Sequence, residues 1–415
     1  MPLTILFDLD DTLLGNNIHQ FLPNYFKALC ETIGGIPLQK FINTLMAATG
    51  KMISNEDPAL PLEQIFDDNF YPALGVVKAD WQQKIDHFYK DVFPTLREHT
   101  HPRPDMVRVV EYAFSRGWQV VIATNPLFPR TAIHQRLSWA GLPVEKYPFA
   151  LITTYESSHF AKPNPAYFAE ILARLGWQNQ PAVMVGNDFQ EDIQPAVQLG
   201  LPAYWLNEGE YTVPVRLPES CSTGRVKDLS DWLDHCEAQP TLPTWDTPAA
   251  LIAQLRSTPA ALSSLVSNQP ISAWQHKPTP KDWNLIQILC HLRDADREIN
   301  LPRVKEICLS DNPFLPGIDS DRWAEERHYE LQNGEDALIN FTETRKEMVH
   351  HLENLNPKGW DCPARHAIFG PTRISELVGF MANHDRNHVN QIYENLTHFL
   401  RGTRRTGPLV WQNQT

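Results

Sequence analysis

A proline-rich seam divides this chain into two stretches whose hydrophobic periodicities belong to different fold classes. The run Ala238-Gln239-Pro240-Thr241-Leu242-Pro243-Thr244-Trp245-Asp246-Thr247-Pro248 sets three prolines among small polar residues, which suits neither a helix interior nor a central strand. Before it, short aliphatic runs at 3–8, 118–124, 149–153, 182–186 and 203–206 alternate with amphipathic segments such as 105–116 and 165–175. Gly117, Gly176 and Gly200 stand where helices would end. This alternation predicts an α/β domain over 1–237, a Rossmann-like, doubly wound parallel sheet. From 16 to about 91 the alternation is interrupted by helical patterns, which predict an inserted helical cap. After the seam strand signals nearly vanish. Segments 248–266, 284–309, 334–355 and 374–400 each carry helical periodicity and predict an all-α four-helix bundle over 248–400. Residues 238–247 then form a linker, and 401–415 a tail.

A chain of 415 residues is long enough for two or three domains with real cores. Its 36 Lys+Arg against 49 Asp+Glu give a formal charge of −13, which argues against general binding to nucleic acid or to an anionic membrane. No window approaches the ~20 apolar residues of a membrane span, and the start MPLTILFDLDD lacks a basic leader region. Six dispersed cysteines fit reduced thiols and a cytoplasmic location.

Asp8-Leu9-Asp10-Asp11-Thr12 follows the first strand directly. Alternate residues of an extended chain point the same way, so Asp8 and Asp10 can share one site, where their repulsion calls for a cation or a proton. An acidic turn capping a helix is the plain alternative. Three further segments weigh against it: Thr124-Asn125 at the end of the second strong strand, Lys162 in Ala161-Lys162-Pro163-Asn164-Pro165 before a helix, and Val185-Gly186-Asn187-Asp188-Phe189-Gln190-Glu191-Asp192 after a buried strand. Carboxylates, a hydroxyl and a lysine at the carboxyl ends of parallel strands make a cation-plus-phosphate site.

With these four motifs in order, residues 1 to about 236 resemble the haloacid dehalogenase superfamily of phosphohydrolases. The resemblance implies Asp8 as nucleophile, forming an aspartyl-phosphate, and Asp10 as general acid and then base. It implies Mg²⁺ held among Asp8, Asp10 through its carbonyl, Asn187, Asp188 and Asp192, with Thr124, Asn125 and Lys162 binding the phosphate. Asp10 argues against the dehalogenase branch. In the family's last motif Asp often follows Gly directly; here Asn187 holds that place and Asp188 follows, so either could serve the metal, and a neutral ligand would weaken it. Glu191 reads as merely exposed. In the cap, His19, Tyr25, Phe26 and Lys51 read as packing or surface residues.

In the last segment Leu377, Met381, His384, His388 and Gln391 or Ile392 follow steps of three and four, the inward stripe of a bundle helix. His291, on a helical face with Ile288 and Ala295, adds a third imidazole. Three imidazoles in one bundle interior are costly without a ligand, and a divalent ion resolves that cost. Cys290 reads as core, and His328, His350, His351, His366 and His398 as surface or packing residues. Residues from about 248 to 400 resemble the DinB-like metal-binding bundles, which include small-thiol-dependent S-transferases. The likeness extends to Trp283, to Asp321-Arg322-Trp323-Ala324-Glu325-Glu326-Arg327, to Phe369-Gly370-Pro371-Thr372 and to His384-Asp385-Arg386-Asn387-His388-Val389-Asn390-Gln391-Ile392. It implies a divalent transition metal, such as Zn²⁺ or Ni²⁺, on His291, His384 and His388, and the softness of imidazole ligands permits Fe²⁺ or Mn²⁺ as well.

The leading expectation is a Mg²⁺-dependent phosphomonoester hydrolase acting on a small phosphorylated metabolite, fused to a metal-binding bundle. Two alternatives stand beside it. The first domain is a degenerate scaffold and the bundle a metal-dependent transferase using a low-molecular-weight thiol, or the whole chain binds metal without catalysis. A homodimer through helix faces is a further expectation.

Overall fold

The computed structural model describes residues 2–16, 18–177, 180–209, 217–240, 242–320 and 322–402. The chain opens on β1 (Thr4–Phe7), and a short β2 (Leu14–Asn16) then leads into the cap. The cap comprises α1 (Ile18–Ile33), α2 (Leu38–Ile53), α3 (Leu62–Leu74) and α4 (Lys78–His87), closed by a π turn at Phe88–Val92 and a 3₁₀ turn at Phe93–His99. β3 (Thr100–Pro102) returns the chain by pairing antiparallel with β2. The insertion therefore runs past the expected 91. Ribbon strands of three residues are too short to carry a period of two.

The core then alternates: α5 (Pro104–Ser115), β4 (Gln119–Ile122), α6 (Arg130–Trp139), β5 (Leu151–Ile152), α7 (Pro165–Arg174), β6 (Ala182–Gly186), α8 (Gln194–Leu199) and β7 (Ala203–Leu206). β8 (Cys221–Gly224) and α9 (Val226–Ala238) follow. The six strands lie parallel in the order β5-β4-β1-β6-β7-β8. The chain turns from one side of β1 to the other between β4 and β6, so the ends of all three strands meet at one switch point. β8 went unpredicted because Cys-Ser-Thr-Gly has no apolar alternation; as an edge strand it needs only backbone pairing.

Beyond the seam come α10 (Pro248–Val266), α11 (Ile271–Trp274), α12 (Leu285–Ala295), α13 (Leu301–Leu309), α14 (Trp323–Glu326), α15 (Gly334–Glu353) and α16 (Ile374–Gly402). The segment expected as one helix, 284–309, is α12 and α13 joined by a π turn at Asp296–Asn300. Pro302, with no N–H and a ring that clashes with the preceding turn, accounts for the wider turn. The bundle also carries three strands that periodicity did not announce: β9 (Phe314–Leu315), β10 (Pro363–His366) and β11 (Gly370–Arg373), in the order β11-β10-β9. Among the described residues no helix is long and apolar enough to cross a membrane. Of the expected tail, 401 and 402 extend α16, and the rest lies outside the described residues.

One apolar core crosses the seam. Leu6, Val121 and Met184 of the sheet, Phe168 and Ile171 of α7, Ala260 and Leu262 of α10, and Val389 and Ile392 of α16 belong to a single buried cluster. α7 is buried on every face because α10 covers the side away from the sheet. Even its Glu170 is satisfied internally, by the His159 amide and ring Nδ1, the latter at 2.8 Å. Gly176, with φ near +86°, ends this region against Tyr393 of α16; a Cβ there would lie 2.8 Å from the ring. Trp245 of the expected linker packs on Trp177 with ring centroids 5.3 Å apart.

Candidate active site and metal centre

Lys162 reaches the switch point because Asn164 caps α7, accepting from the Ala166 amide, and Pro165 opens the helix. Its ammonium, wholly buried, donates to Asp8 Oδ1 at 2.7 Å and to Asp192 Oδ1 at 2.6 Å. Burial pulls the lysine pKa down, but the charges of Asp192 and Asp8 outweigh it and hold it above the ordinary value. Asp192 moves the other way: burial first, then the neighbouring Asp8 charge, raise its carboxyl well above the usual range. Its Oδ2 also accepts from the Asp188 amide at 3.0 Å. Gly186 is required here, since a Cβ would sit 2.2 Å from that carboxylate.

The Asn187 side-chain oxygen accepts from the Thr12 hydroxyl at 3.1 Å. Asp188 Oδ1 accepts from the amides of Gln190 and Glu191, at 2.7 and 2.9 Å. Asp10 faces Asn16, whose amide donates at 2.9 Å, and the fully buried guanidinium of Arg136 in α6. Arg136 also lies over the rings of Phe128 and Phe21. The sequence reading missed this cation. Its signal was an arginine inside an apolar stripe, Ile133, Arg136, Leu137 and Ala140.

These groups open onto a cavity of about 770 Å³ between core and cap, lined by Asp8, Asp10, Asn125, Asn187, Asp188, Glu191 and Asp192 on the core side. Lys162 and Thr124 are not among its lining residues; Lys162 stands behind the carboxylates, and the Thr124 carbonyl accepts from the hydroxyls of Thr153 and Tyr167. Tyr25 and Phe26, expected as packing or surface residues, line the cavity as well as packing. Lys51 is exposed and away from it, and the His19 side chain lies outside the described residues. Glu191 is exposed but at the cavity wall, accepting from Asn125 at 3.2 Å.

In the bundle, α12 begins at a reciprocal cap between Asn284 and Gln287, which sets the phase that points His291 inward. His384 Nε2 lies 3.0 Å from His291 Nε2 and 3.1 Å from His388 Nε2. His388 Nδ1 meets Gln391 at 2.8 Å, which as a donor leaves Nε2 with its lone pair inward. Trp283 stacks on His388 and walls His291. The buried His291 Nδ1 has no partner among the described residues. Three nitrogen donors converging in this way fit a borderline-soft divalent ion. The Cys290 thiol turns off this cluster toward Gln332, and burial pushes it up to about 11.

Burial, followed by His388 and His384, pushes His291 down to about 3; burial, followed by His384, pushes His388 down to about 4. Both lie below the imidazole value of 6.5 of an unfolded chain, so between about pH 4 and 6.5 the unfolded protein binds protons that the folded one refuses. The metal-free protein should therefore lose stability as the pH falls through that window, by about 1.4 kcal/mol per unit for each histidine. Thermal unfolding of chelator-treated protein across this range checks it; a melting temperature indifferent to pH there would contradict the buried, neutral triad.

Comparison with known proteins matches residues 3–200 to the haloacid dehalogenase-like hydrolase family model and residues 254–392 to the DinB superfamily model. A glyceraldehyde 3-phosphate phosphatase of Methanothermobacter thermautotrophicus is 25% identical over 210 residues, covering 49% of this chain and 84% of that protein. A phosphoserine phosphatase of Thermus thermophilus is 26% identical over 259 residues, covering 55% of this chain and 96% of that protein. Among solved structures, YfiT from Bacillus subtilis, with an unusual four-helix bundle topology, is 16% identical over 49% of this chain and 98% of its own, with a TM-score of 0.35.

Proposed function

We propose that the chain, whose residues 3–200 match the haloacid dehalogenase-like hydrolase model and whose residues 254–392 match the DinB superfamily model, is a Mg²⁺-dependent phosphomonoester hydrolase carrying a metal-binding bundle. The observation that carries the first half is the Lys162 ammonium held between Asp8 and Asp192, the two carboxylates that line the cavity between core and cap. Both relatives named above are phosphatases.

In this reading Asp8 attacks phosphorus, the phosphorus–alkoxide bond breaks, and Asp10 gives its proton to the departing alkoxide. Water then attacks the aspartyl-phosphate, Asp10 takes the proton, and inorganic phosphate leaves with the Asp8 carboxylate restored. Asn16 and Arg136 orient Asp10 between these roles. Lys162 supplies fixed positive charge where the phosphoryl oxygens gather it. Asn125 faces the phosphate from the cavity wall, and Thr124 supports the loop through its carbonyl. A Mg²⁺ ion held at this site would supply positive charge to offset that of the carboxylates and the phosphoryl group. The oxygens of Asp8, Asp188 and Asp192 and the Asp10 carbonyl suit it, while Asn187 is engaged by Thr12. The test is phosphate release from an aryl phosphate with Mg²⁺ and with chelator, using an Asp8→Asn protein as control. A folded wild type that releases no phosphate under any Mg²⁺ concentration would reject the reading.

The imidazole triad favours a second function beside the first. His291, His384 and His388 would hold a divalent transition metal such as Zn²⁺ or Ni²⁺, which supplies thiol activation by lowering the pKa of a bound thiol. The His384→Ala protein is expected to lose, through dialysis, the metal that the wild type keeps in stoichiometric amount. Equal metal content in both, by elemental analysis, would remove the triad from consideration.

A further inference from the structure

The cavity beside the carboxylates has a wall that small phosphometabolites cannot use. About 770 Å³ lies within the ~300–1,000 Å³ range of sites that enclose a drug-sized ligand. Away from Asp8 the wall is carbon: Tyr25 of α1, Phe41 and Leu45 of α2, Phe70 of α3, Trp81 of α4, and Phe128 from the loop before α6. Their rings interlock, with centroids 5.7 Å apart for Phe41–Phe70, 6.2 Å for Phe70–Trp81 and 5.3 Å for Tyr25–Phe128.

Three of the hydroxyls in this part are already engaged. The Tyr25 and Tyr89 hydroxyls bond to each other at 2.9 Å, and the Thr49 hydroxyl returns to the Leu45 carbonyl at 2.9 Å. Among the described lining residues there is no lysine or arginine, while Asp10, Asp11 and Glu191 add negative charge. A leaving group bearing its own carboxylate or second phosphate would meet no lysine or arginine there, His101 being the one imidazole among the described lining residues, and would be repelled. Apolar surface, by contrast, gains by leaving water.

We propose that the substrate is the monophosphate of a hydrophobic alcohol, a medium or long alkyl, isoprenyl or arylalkyl chain lying in the cap. The inference rests on the hydrolase reading of the carboxylate site and adds the chemistry of the leaving group to it. In each turnover the alkoxide of that chain takes the Asp10 proton and departs as the free alcohol.

The experiment is a series of ethyl, butyl, hexyl, octyl and decyl monophosphates under Mg²⁺. The expected kcat/KM rises about fourfold per added methylene until the cavity is filled, the change falling in KM. A flat or falling profile, with ethyl phosphate or phosphoserine turned over as well as decyl phosphate, overturns the proposal and leaves the hydrolase intact. Leu45→Trp and Thr49→Phe should each lower the decyl-to-ethyl ratio roughly fifteenfold, the worth of about two methylenes. If no phosphate ester is turned over at all, the hydrolase reading fails, and the cavity is then judged by calorimetric binding of 1-decanol. Decanol binding that Leu45→Trp weakens supports it, and absence of binding overturns it.

Discussion

The Asp8→Asn protein is expected to release phosphate from any ester at roughly 10⁴-fold below wild type or less, while folding normally. Asparagine keeps the shape of the side chain but has no anion with which to attack phosphorus, and no other carboxylate stands in its place. Asp10 is held by Asn16 and Arg136, Asp188 is engaged with the amides of Gln190 and Glu191, and Asp192 is buried against Lys162. The fold tolerates the change because Lys162 keeps its bond to Asp192. The Asp8 charge is also one of the causes that raise the Asp192 carboxyl, so its removal relieves that residue. The checks are phosphate release beside the melting temperature. Turnover within tenfold of wild type would take Asp8 out of the nucleophile's role and the mechanism with it.

The largest stability effect should come from Arg345→Leu in the bundle. Arg345 is fully buried; its Nε donates to Asp296 at 2.7 Å, its Nη1 to the Leu255 carbonyl at 3.0 Å, and its Nη2 to Asp385 at 3.2 Å. One guanidinium thus ties α10, the π turn, α15 and α16 together. Burial works against the Asp385 charge, but Arg345 and His384 outweigh it and hold the carboxyl below its usual range. Without Arg345 two carboxylates face each other in a dry interior, at a cost of about 3–5 kcal/mol. At roughly 2–4 °C per kcal/mol for a domain of this size, the melting temperature should fall on the order of ten degrees. In the variant both carboxyls would titrate above their unfolded values, so the lost stability should return as the pH is lowered. Adding Asp296→Asn and Asp385→Asn should recover much of the loss at neutral pH. A single variant melting within a degree or two of wild type would show that the network contributes little.

That network marks the limit of what pattern reading reaches. Asp385 was visible only as the residue after His384, and Arg345 only as an unremarked member of the helical segment 334–355. Which charge turns inward depends on the roll of α15 against α10, set by packing and not by local propensity. Arg136 shows the same effect in the other half: on its own helix it breaks an apolar stripe, and only the approach of Asp10, 126 residues earlier, explains it. The short elements escaped for another reason. β2, β3 and β9 are two or three residues long, and their backbone bonds, not their side chains, define them.

The sequence by itself determined five of the six parallel strands, the places of the long bundle helices, the acidic loops after β1 and β6 and the histidine spacing on α16, since each follows from a period or a cap within about twenty residues. The tertiary structure alone decided that Lys162 stands between Asp8 and Asp192, that the three imidazole nitrogens meet, and that the cap encloses an apolar cavity beside the carboxylates. It also decided that the two halves are not beads on a linker. α7 reads as an ordinary amphipathic helix, yet α10 covers its outer face, because small residues there let the two helices approach and bury what either would otherwise expose.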